Sequence, residues 1–204
     1  MIGDKFPYME VSTTKGKMEL PSGFSGKWFV LFSHPADFTA VCTTEFYSFQ
    51  ENYSDFKKIN CELIGLSVDQ ISSHLSWTKW IKENLDKQIE FPIIEDLGNA
   101  SKLLGMVHPN QGTRTIRGVY IVDTEGIVRA ILEYPQEIGR NIPEILRIVK
   151  SLQASDKRKM SAPANWPENE LIGDSLILPS PKNEKEMQKL KNKQGYDWWF
   201  RYTK

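Results

Sequence analysis

An α/β fold, a central mixed sheet flanked by helices, is the architecture this sequence predicts, and three observations predict it. A continuous β-favouring apolar run, Trp28-Phe-Val-Leu-Phe-Ser-His34, has the character of a strand buried on both faces. Aromatic residues at helical spacing follow it, and further apolar runs then alternate with helical patterns. Later in the chain two apolar segments bracket Asp123-Thr-Glu-Gly126, a turn-forming cluster that marks a hairpin.

The elements can be justified in order. Pro35 ends the first strand, because it has no N–H to give to a sheet. From Val41 the period changes: Phe46, Phe49, Tyr53 and Phe56 recur at spacings of 3, 4 and 3, which puts four aromatics on one face of a helix running to about Lys58. Leu63-Ile-Gly-Leu-Ser-Val68 reads as a second buried strand. Ile71 to Leu85 reads as a helix with Leu75, Ile81 and Leu85 inward. Phe91-Pro-Ile-Ile94 is a shorter strand, and Asn99 to Leu104 a short helix with Asn99 or Asp96 available near its N-cap. Gly118-Val-Tyr-Ile-Val122 and Ile127 to Leu132 are the hairpin strands, and Ile142, Ile145, Leu146 and Val149 give a final helix with one apolar face. Parallel βαβ units on one side and an antiparallel pair on the other make a thioredoxin-like layout.

The chain has 204 residues, enough for one large domain or one domain with an extension. Residues 1–154 are expected to form the main domain. Residues 155–204 change character, with four prolines and a lysine-rich stretch from Lys182 to Lys193 expected to be a solvated helix face. Trp166, Leu171, Ile172 and the Trp198-Trp-Phe200 cluster nevertheless need covering, so this extension is expected to pack on the main domain or on a neighbouring subunit, in the latter case as a dimerisation arm.

Lys+Arg 26 balance Asp+Glu 26, which gives no general attraction to nucleic acid. The longest apolar run, Trp28 to Phe32, is five residues, against about 20 for a membrane helix. The first residues lack the pattern of a secretory signal, and the expectation is a cytoplasmic protein. Cys42 and Cys61 are too few for a disulfide scaffold, and three scattered histidines make no metal site; His74 and His108 are expected in solvent.

The chemistry concentrates between Ser33 and Glu45, where the first strand leads into the aromatic-faced helix. Cys42 falls in the first turn of that helix, where unpaired N–H groups and the positive end of the helix dipole stabilise a thiolate. Thr39 is placed to cap the helix and turn its hydroxyl toward the sulfur, and Pro35 to rigidify the loop and shield it.

The string Phe32-Ser-His-Pro-Ala-Asp-Phe-Thr-Ala-Val-Cys-Thr-Thr-Glu45 resembles the active-site motif of the peroxiredoxins, Pro35 and Thr39 leading to Cys42. The resemblance continues through Leu63-Ile-Gly-Leu-Ser-Val-Asp69, Ile116-Arg-Gly-Val-Tyr-Ile-Val-Asp123, Tyr134-Pro135, Gly139-Arg140-Asn141, Glu144-Ile-Leu-Arg147 and Pro163-Ala-Asn-Trp-Pro167, essentially the whole chain. The tail with Asp197-Trp-Trp-Phe200 is similar to the sixth, one-cysteine-related subfamily in its archaeal-type branch.

The resemblance implies a thiol peroxidase that reduces hydrogen peroxide and organic hydroperoxides through a Cys42 sulfenic acid. It implies Arg117 as the catalytic arginine, Glu45 orienting it, and Arg140 close to the same pocket. Thr39 and the backbone N–H groups of Val41 and Cys42 are then suited to hold the peroxide oxygens. His34 is either a hydrogen-bond partner of Cys42 or a structural histidine. No cofactor or metal is implied. A homodimer assembled into a decamer-like ring is.

Two departures matter. Gly195, Tyr196 and Arg201 stand where long-tailed members often carry cysteines, and Cys61 is expected to be a small buried hydrophobe, so an external thiol, thioredoxin-like or small, must regenerate Cys42. Lys27 occupies the place of a lipase serine found in mammalian members, so lipase activity does not carry over. Thr43, Thr44 and Glu45 after Cys42 speak against a Cys-x-x-Cys disulfide oxidoreductase. A ring-shaped holdase or redox-signalling scaffold is the remaining alternative.

Overall fold

The apolar run from Trp28 forms the middle of a seven-stranded sheet. In the computed structural model, which describes residues 1–110 and 112–203, the chain divides into two units, Met1–Pro143 and the part from Glu144 onward. The first unit contains, in order, β1 (Met9–Thr13), β2 (Gly16–Leu20), β3 (Trp28–Ser33), α1 (Ala40–Lys58), β4 (Cys61–Ser67), α2 (Ile71–Leu85), β5 (Ile93–Glu95), α3 (Ala100–Leu103), β6 (Arg117–Val122) and β7 (Val128–Tyr134). Their order in the sheet is β2-β1-β5-β4-β3-β6-β7. The strands β3, β4 and β5 run parallel, whereas β6 and β7 on one side and β1 and β2 on the other are antiparallel. This is the mixed sheet expected from the sequence.

Every residue of β3 is buried, as a strand with side chains in the core on both faces requires. One face packs Phe29 and Leu31 with Ile64, Leu66 and Ile94, under Ala100, Leu104 and Met106. On the other, Phe32 stacks on Phe49 with ring centroids 3.9 Å apart and meets Phe46 edge-on at 5.4 Å. Phe46, Phe49, Tyr53 and Phe56, the predicted stripe of α1, are all buried. Burying one such side chain contributes about 1.5–3 kcal/mol, so the stripe fixes α1, and with it Cys42, against the sheet.

Asp96 is the group that opens α3. Its carboxylate accepts the N–H of Gly98, Asn99, Ala100 and Ser101 at 2.9–3.1 Å, while the Asn99 side chain makes no capping bond. In the β6–β7 turn Asp123 Oδ1 accepts the N–H of Glu125 and Ile127, and Gly126 takes φ 77°, a left-handed conformation that suits glycine. The β1–β2 hairpin is absent from the sequence prediction, although Met9-Glu-Val-Ser12 and Lys17-Met-Glu-Leu20 carry the two-residue alternation of a half-buried strand.

The face of α2 needs correction. Its buried residues are His74, Trp77 and Ile81, while Leu75 is 50% exposed and Leu85 is also exposed. Trp77 offers more apolar area than either leucine, and His74 has a buried carboxylate to meet; together they decide which side of the helix turns inward.

The second unit holds most of α4 (Ile142–Arg158), followed by β8 (Leu176–Ile177), α5 (Glu184–Leu190), β9 (Gly195–Asp197) and β10 (Phe200–Thr203). The three short strands form a sheet in the order β8-β10-β9, which the sequence prediction does not contain. Helix α5 has no buried residue, as its run of charges requires. Asn183 accepts the Glu186 N–H while Glu186 accepts the Lys182 N–H, a reciprocal cap. Trp198 and Trp199 are about half exposed, at 49% and 54%.

Candidate active site

The loop from β3 to α1 is held in a demanding conformation. Pro35 is buried, and Phe38 adopts φ 53° with its ring exposed. A bulky residue in the left-handed region costs on the order of 1–3 kcal/mol, so the surroundings must enforce it. They do so through Asp37, whose N–H donates to Asp69 Oδ2 at 2.9 Å.

Thr39 is the N-cap residue of α1, in extended conformation. Its hydroxyl donates to Ala36 O at 2.9 Å and caps no N–H. This corrects the expectation of a side-chain cap: tightening the loop onto Ala36 takes the hydroxyl instead. Helical bonding starts with Thr43 N–H on Thr39 O at 3.0 Å, so the N–H groups of Ala40, half-buried Val41 and Cys42 have no intrahelical acceptor and project from the helix end.

Cys42 is fully buried in this first turn. Arg117, the first residue of β6, points its Nη1 at the Cys42 sulfur, 3.3 Å away, and at Glu45 Oε2, 2.7 Å away. Its Nε and Nη2 both donate to the main-chain oxygen of Gln136, at 3.0 and 2.8 Å. The guanidinium is thus clamped from two sides. Glu45 lies three residues beyond Cys42 on the same face of α1, and Arg140 grips it bidentately, Nε to Oε1 and Nη2 to Oε2, both at 2.8 Å.

Arg140 also donates from its main-chain N–H to Glu45 Oε1 and from Nη1 to Ser33 O and Gly118 O, and its guanidinium sits over the rings of Phe32 and Phe49. Burial alone would raise the Glu45 carboxyl, yet the Arg140 charge and hydrogen bonds, with Arg117 beside them, hold it below the usual carboxylate range. Two cations against one carboxylate leave one net positive charge at the sulfur, an electrostatic setting that favours an anion there.

A second buried cluster lies behind the loop. His34 Nε2 is 2.8 Å from Asp37 Oδ1, and His74 Nδ1 is 2.8 Å from Asp37 Oδ2. His74, expected in solvent, is fully buried, and with His34 it shares a carboxylate that needs two donors. The histidines are therefore not all scattered; among the described residues, only His108 of the three stays outside the cluster. Burial would raise Asp37, but the two imidazole hydrogen bonds hold it well below the ordinary carboxylate range. His34 stacks on Trp77, whose Nε1 donates to Thr43 Oγ1. Asp37, Asp69, His74 and the Gln136 carbonyl escaped the sequence reading. Asp37 lies inside the motif and could have been singled out, whereas a main-chain oxygen leaves no side-chain signature.

Cys61 opens β4, is 1% exposed, and its thiol faces Glu62 O at 3.7 Å. Burial, with the Glu62 charge, pushes that thiol far up. Lys27 pairs with Glu62 at 2.7 Å.

The family model described as "AhpC/TSA family" matches residues 2–131. A peroxiredoxin of Thermotoga maritima is 59% identical, covering 100% of this chain and 97% of its own length, and one of Archaeoglobus fulgidus is 57% identical over 100% and 98%. Among solved structures, the yeast mitochondrial 1-Cys peroxiredoxin is 37% identical with TM-score 0.87, covering 100% of this chain and 98% of that one. Peroxiredoxin 6 of Arenicola marina is 31% identical with TM-score 0.87, over 100% and 97%. The chain belongs to the AhpC/TSA family as a peroxiredoxin, a thiol-dependent peroxidase with a thioredoxin-like fold.

Proposed function

We propose that this peroxiredoxin works by a one-cysteine mechanism in which Cys42 is the reacting thiol, and hydrogen peroxide and organic hydroperoxides are the substrates. The observation that carries the reading is the contrast between the two cysteines. Cys42 sits at a helix N-terminus with the Arg117 guanidinium 3.3 Å from its sulfur, whereas Cys61 is sealed at the start of β4 with its thiol pushed far up by burial.

The Cys42 thiolate attacks one peroxide oxygen in line with the O–O bond. The S–O bond forms as the O–O bond breaks, and the departing hydroxide or alkoxide takes a proton to become water or alcohol. Arg117 stabilises the thiolate and then the charge on the departing oxygen, while Glu45 and Arg140 hold Arg117 in place. The N–H groups of Val41 and Cys42, with the Thr39 side chain, hold the peroxide oxygens, and Pro35 screens the sulfur from water. One external thiol then displaces water from the sulfenic acid to form a mixed disulfide, and a second releases Cys42 as a thiol. The reductant is a thioredoxin-like protein or a small thiol. The yeast mitochondrial relative is described as resolved through glutathione and thioredoxin systems, which supports this class.

The chain from residue 155 serves as the arm of a homodimer, and dimers build a ring. Exposed Trp198 and Trp199 support an intersubunit role for this segment. No described helix is long and apolar enough to cross a membrane, and the proposed location is cytoplasmic. Steady-state turnover of Cys42→Ser and Cys61→Ser with peroxide and a thiol reductant tests the reading. Cys42→Ser should lose turnover and Cys61→Ser should keep it; a Cys61→Ser protein that reacts once and stalls would make Cys61 a resolving thiol.

A further inference from the structure

The geometry points to a positioning role for His74 in the peroxidase reaction: as a buried imidazolium, it fixes Asp37 as the carboxylate that holds the His34 ring with its proton on Nε2. The inference rests on Cys42 being the reacting thiol, because the loop that Asp37 anchors is the one that carries Pro35 and Thr39 to that residue.

The protonation pattern follows from which partners can only accept. His74 Nε2 lies 3.2 Å from the main-chain oxygen of Ile94, and a carbonyl has no proton to give, so Nε2 carries one. His74 Nδ1 faces Asp37 Oδ2 at 2.8 Å. Asp37 holds its acid form away by accepting from both rings, so this oxygen also accepts, and His74 Nδ1 carries a proton too. A ring with both nitrogens protonated is a cation. By the same reasoning His34 Nε2 donates to Asp37 Oδ1 at 2.8 Å. One carboxylate charge is matched by one imidazolium, and His34, which faces an acceptor at only one of its two nitrogens, is the neutral member. His34 Nδ1 then has no proton and, buried, has no hydrogen-bond partner among the described residues.

The other charged groups around this cluster leave that balance intact. Asp69, just past β4, accepts from the Asp37 N–H and the Ser67 hydroxyl, and Glu95 at the end of β5 accepts the Ile71 N–H at the start of α2. The donor atoms of His34, Asp37 and His74 lie within 4.8 Å of one another. Asp37 spends a different oxygen on each ring, so the donors converge on the carboxylate rather than on a shared point for a cation.

His74 therefore ties the reactive loop to α2, and through Ile94 to β5. Without its charge, Asp37 is a buried anion lacking compensation and takes up a proton; it then donates to His34, releases that ring's tautomer and loosens the loop.

Histidine-selective 15N NMR of the full reduced chain tests this. There are three rings, and a His108→Asn variant assigns the third. The expected spectrum has both nitrogens of His74 protonated, and His34 protonated at Nε2 alone, at neutral pH. In His74→Asn, which keeps a hydrogen-bonding group but no charge, the His34 ring should become a mixture of tautomers. Cys42 should then be oxidised by hydrogen peroxide about tenfold more slowly or worse. A singly protonated His74 in the natural chain, or a His74→Asn protein with an unchanged His34 spectrum and oxidation rate, would overturn the inference. If His74→Asn does not fold, the spectrum of the natural chain decides alone. That spectrum is taken without peroxide. Failure of Cys42 to oxidise at all would therefore count against the proposed function and leave the ring assignment standing.

Discussion

Glu45 carries more of the site than its single charge suggests, because one carboxylate organises two buried arginines. Arg140 takes both of its oxygens and Arg117 shares one of them. Removing the charge by Glu45→Gln leaves two cations close together with no anion between them. The expected cost is about 3–5 kcal/mol of stability, read from denaturant melts at neutral pH. Arg117→Lys cannot reproduce the fork that reaches the sulfur, Glu45 and the Gln136 oxygen together. Stopped-flow oxidation of Cys42 should slow by about 100-fold or more, the usual loss for an oriented charge-stabilising donor. A drop below threefold would show that Arg117 is not the group stabilising the reaction.

Helix α2 shows where helical periodicity runs out as evidence. Its limits, Ile71 to Leu85, are legible in the sequence, and so is the inward position of Ile81, but the rest of its face is not, because Leu75 and Leu85 look more apolar than His74. What decides the face is Trp77 together with a carboxylate outside the helix, Asp37, and only the first of these lies within α2. Accordingly Leu75→Lys should change stability by no more than about 0.5 kcal/mol, like other exposed sites. Trp77→Ala, which removes a buried ring and the bond to Thr43 Oγ1, should cost about 3–5 kcal/mol. Thermal melts of the two variants check the ordering. The stripe of α1 was readable for the opposite reason. Phe46, Phe49, Tyr53 and Phe56 are all buried, and local spacing and tertiary packing agree. Cys42, Thr39 and Glu45 are singled out by the motif from Phe32 to Glu45, and Arg117 and Arg140 by the wider resemblance, and the structure brings Cys42, Glu45, Arg117 and Arg140 together; the Thr39 hydroxyl's choice of Ala36 O depends on loop geometry that residue types do not encode.

At the scale of the molecule, three buried titratable groups give stability a direction in pH. His34 is held below its ordinary value by burial, so the unfolded chain gains a proton there that the folded chain refuses. Stability therefore falls as pH drops below about 6.5 and levels off at the folded value. Asp37 and Glu45 are held low in the fold; their contribution is complete above the ordinary carboxylate range of about 4 and is lost as pH falls through their folded values. Denaturant midpoints should thus decline in two stages on acidification, the second diminished in Glu45→Gln. For the proposed assembly, sedimentation of the natural chain should give a species well above 23.5 kDa, and the double variant Trp198→Ala, Trp199→Ala should shift it downward. The tail's small sheet was illegible because its strands are two to four residues long, too short for a two-residue alternation to stand out.

The most direct test of the one-cysteine reading is the intact mass of the reduced protein after one equivalent of hydrogen peroxide without reductant, with peptide mapping of both cysteines and a non-reducing gel. The predicted result is a gain of about one oxygen, 16 Da, on Cys42, with Cys61 untouched and no cross-linked dimer. A disulfide joining Cys42 and Cys61, or oxygen gained on Cys61 while Cys42 stays reduced, would contradict it.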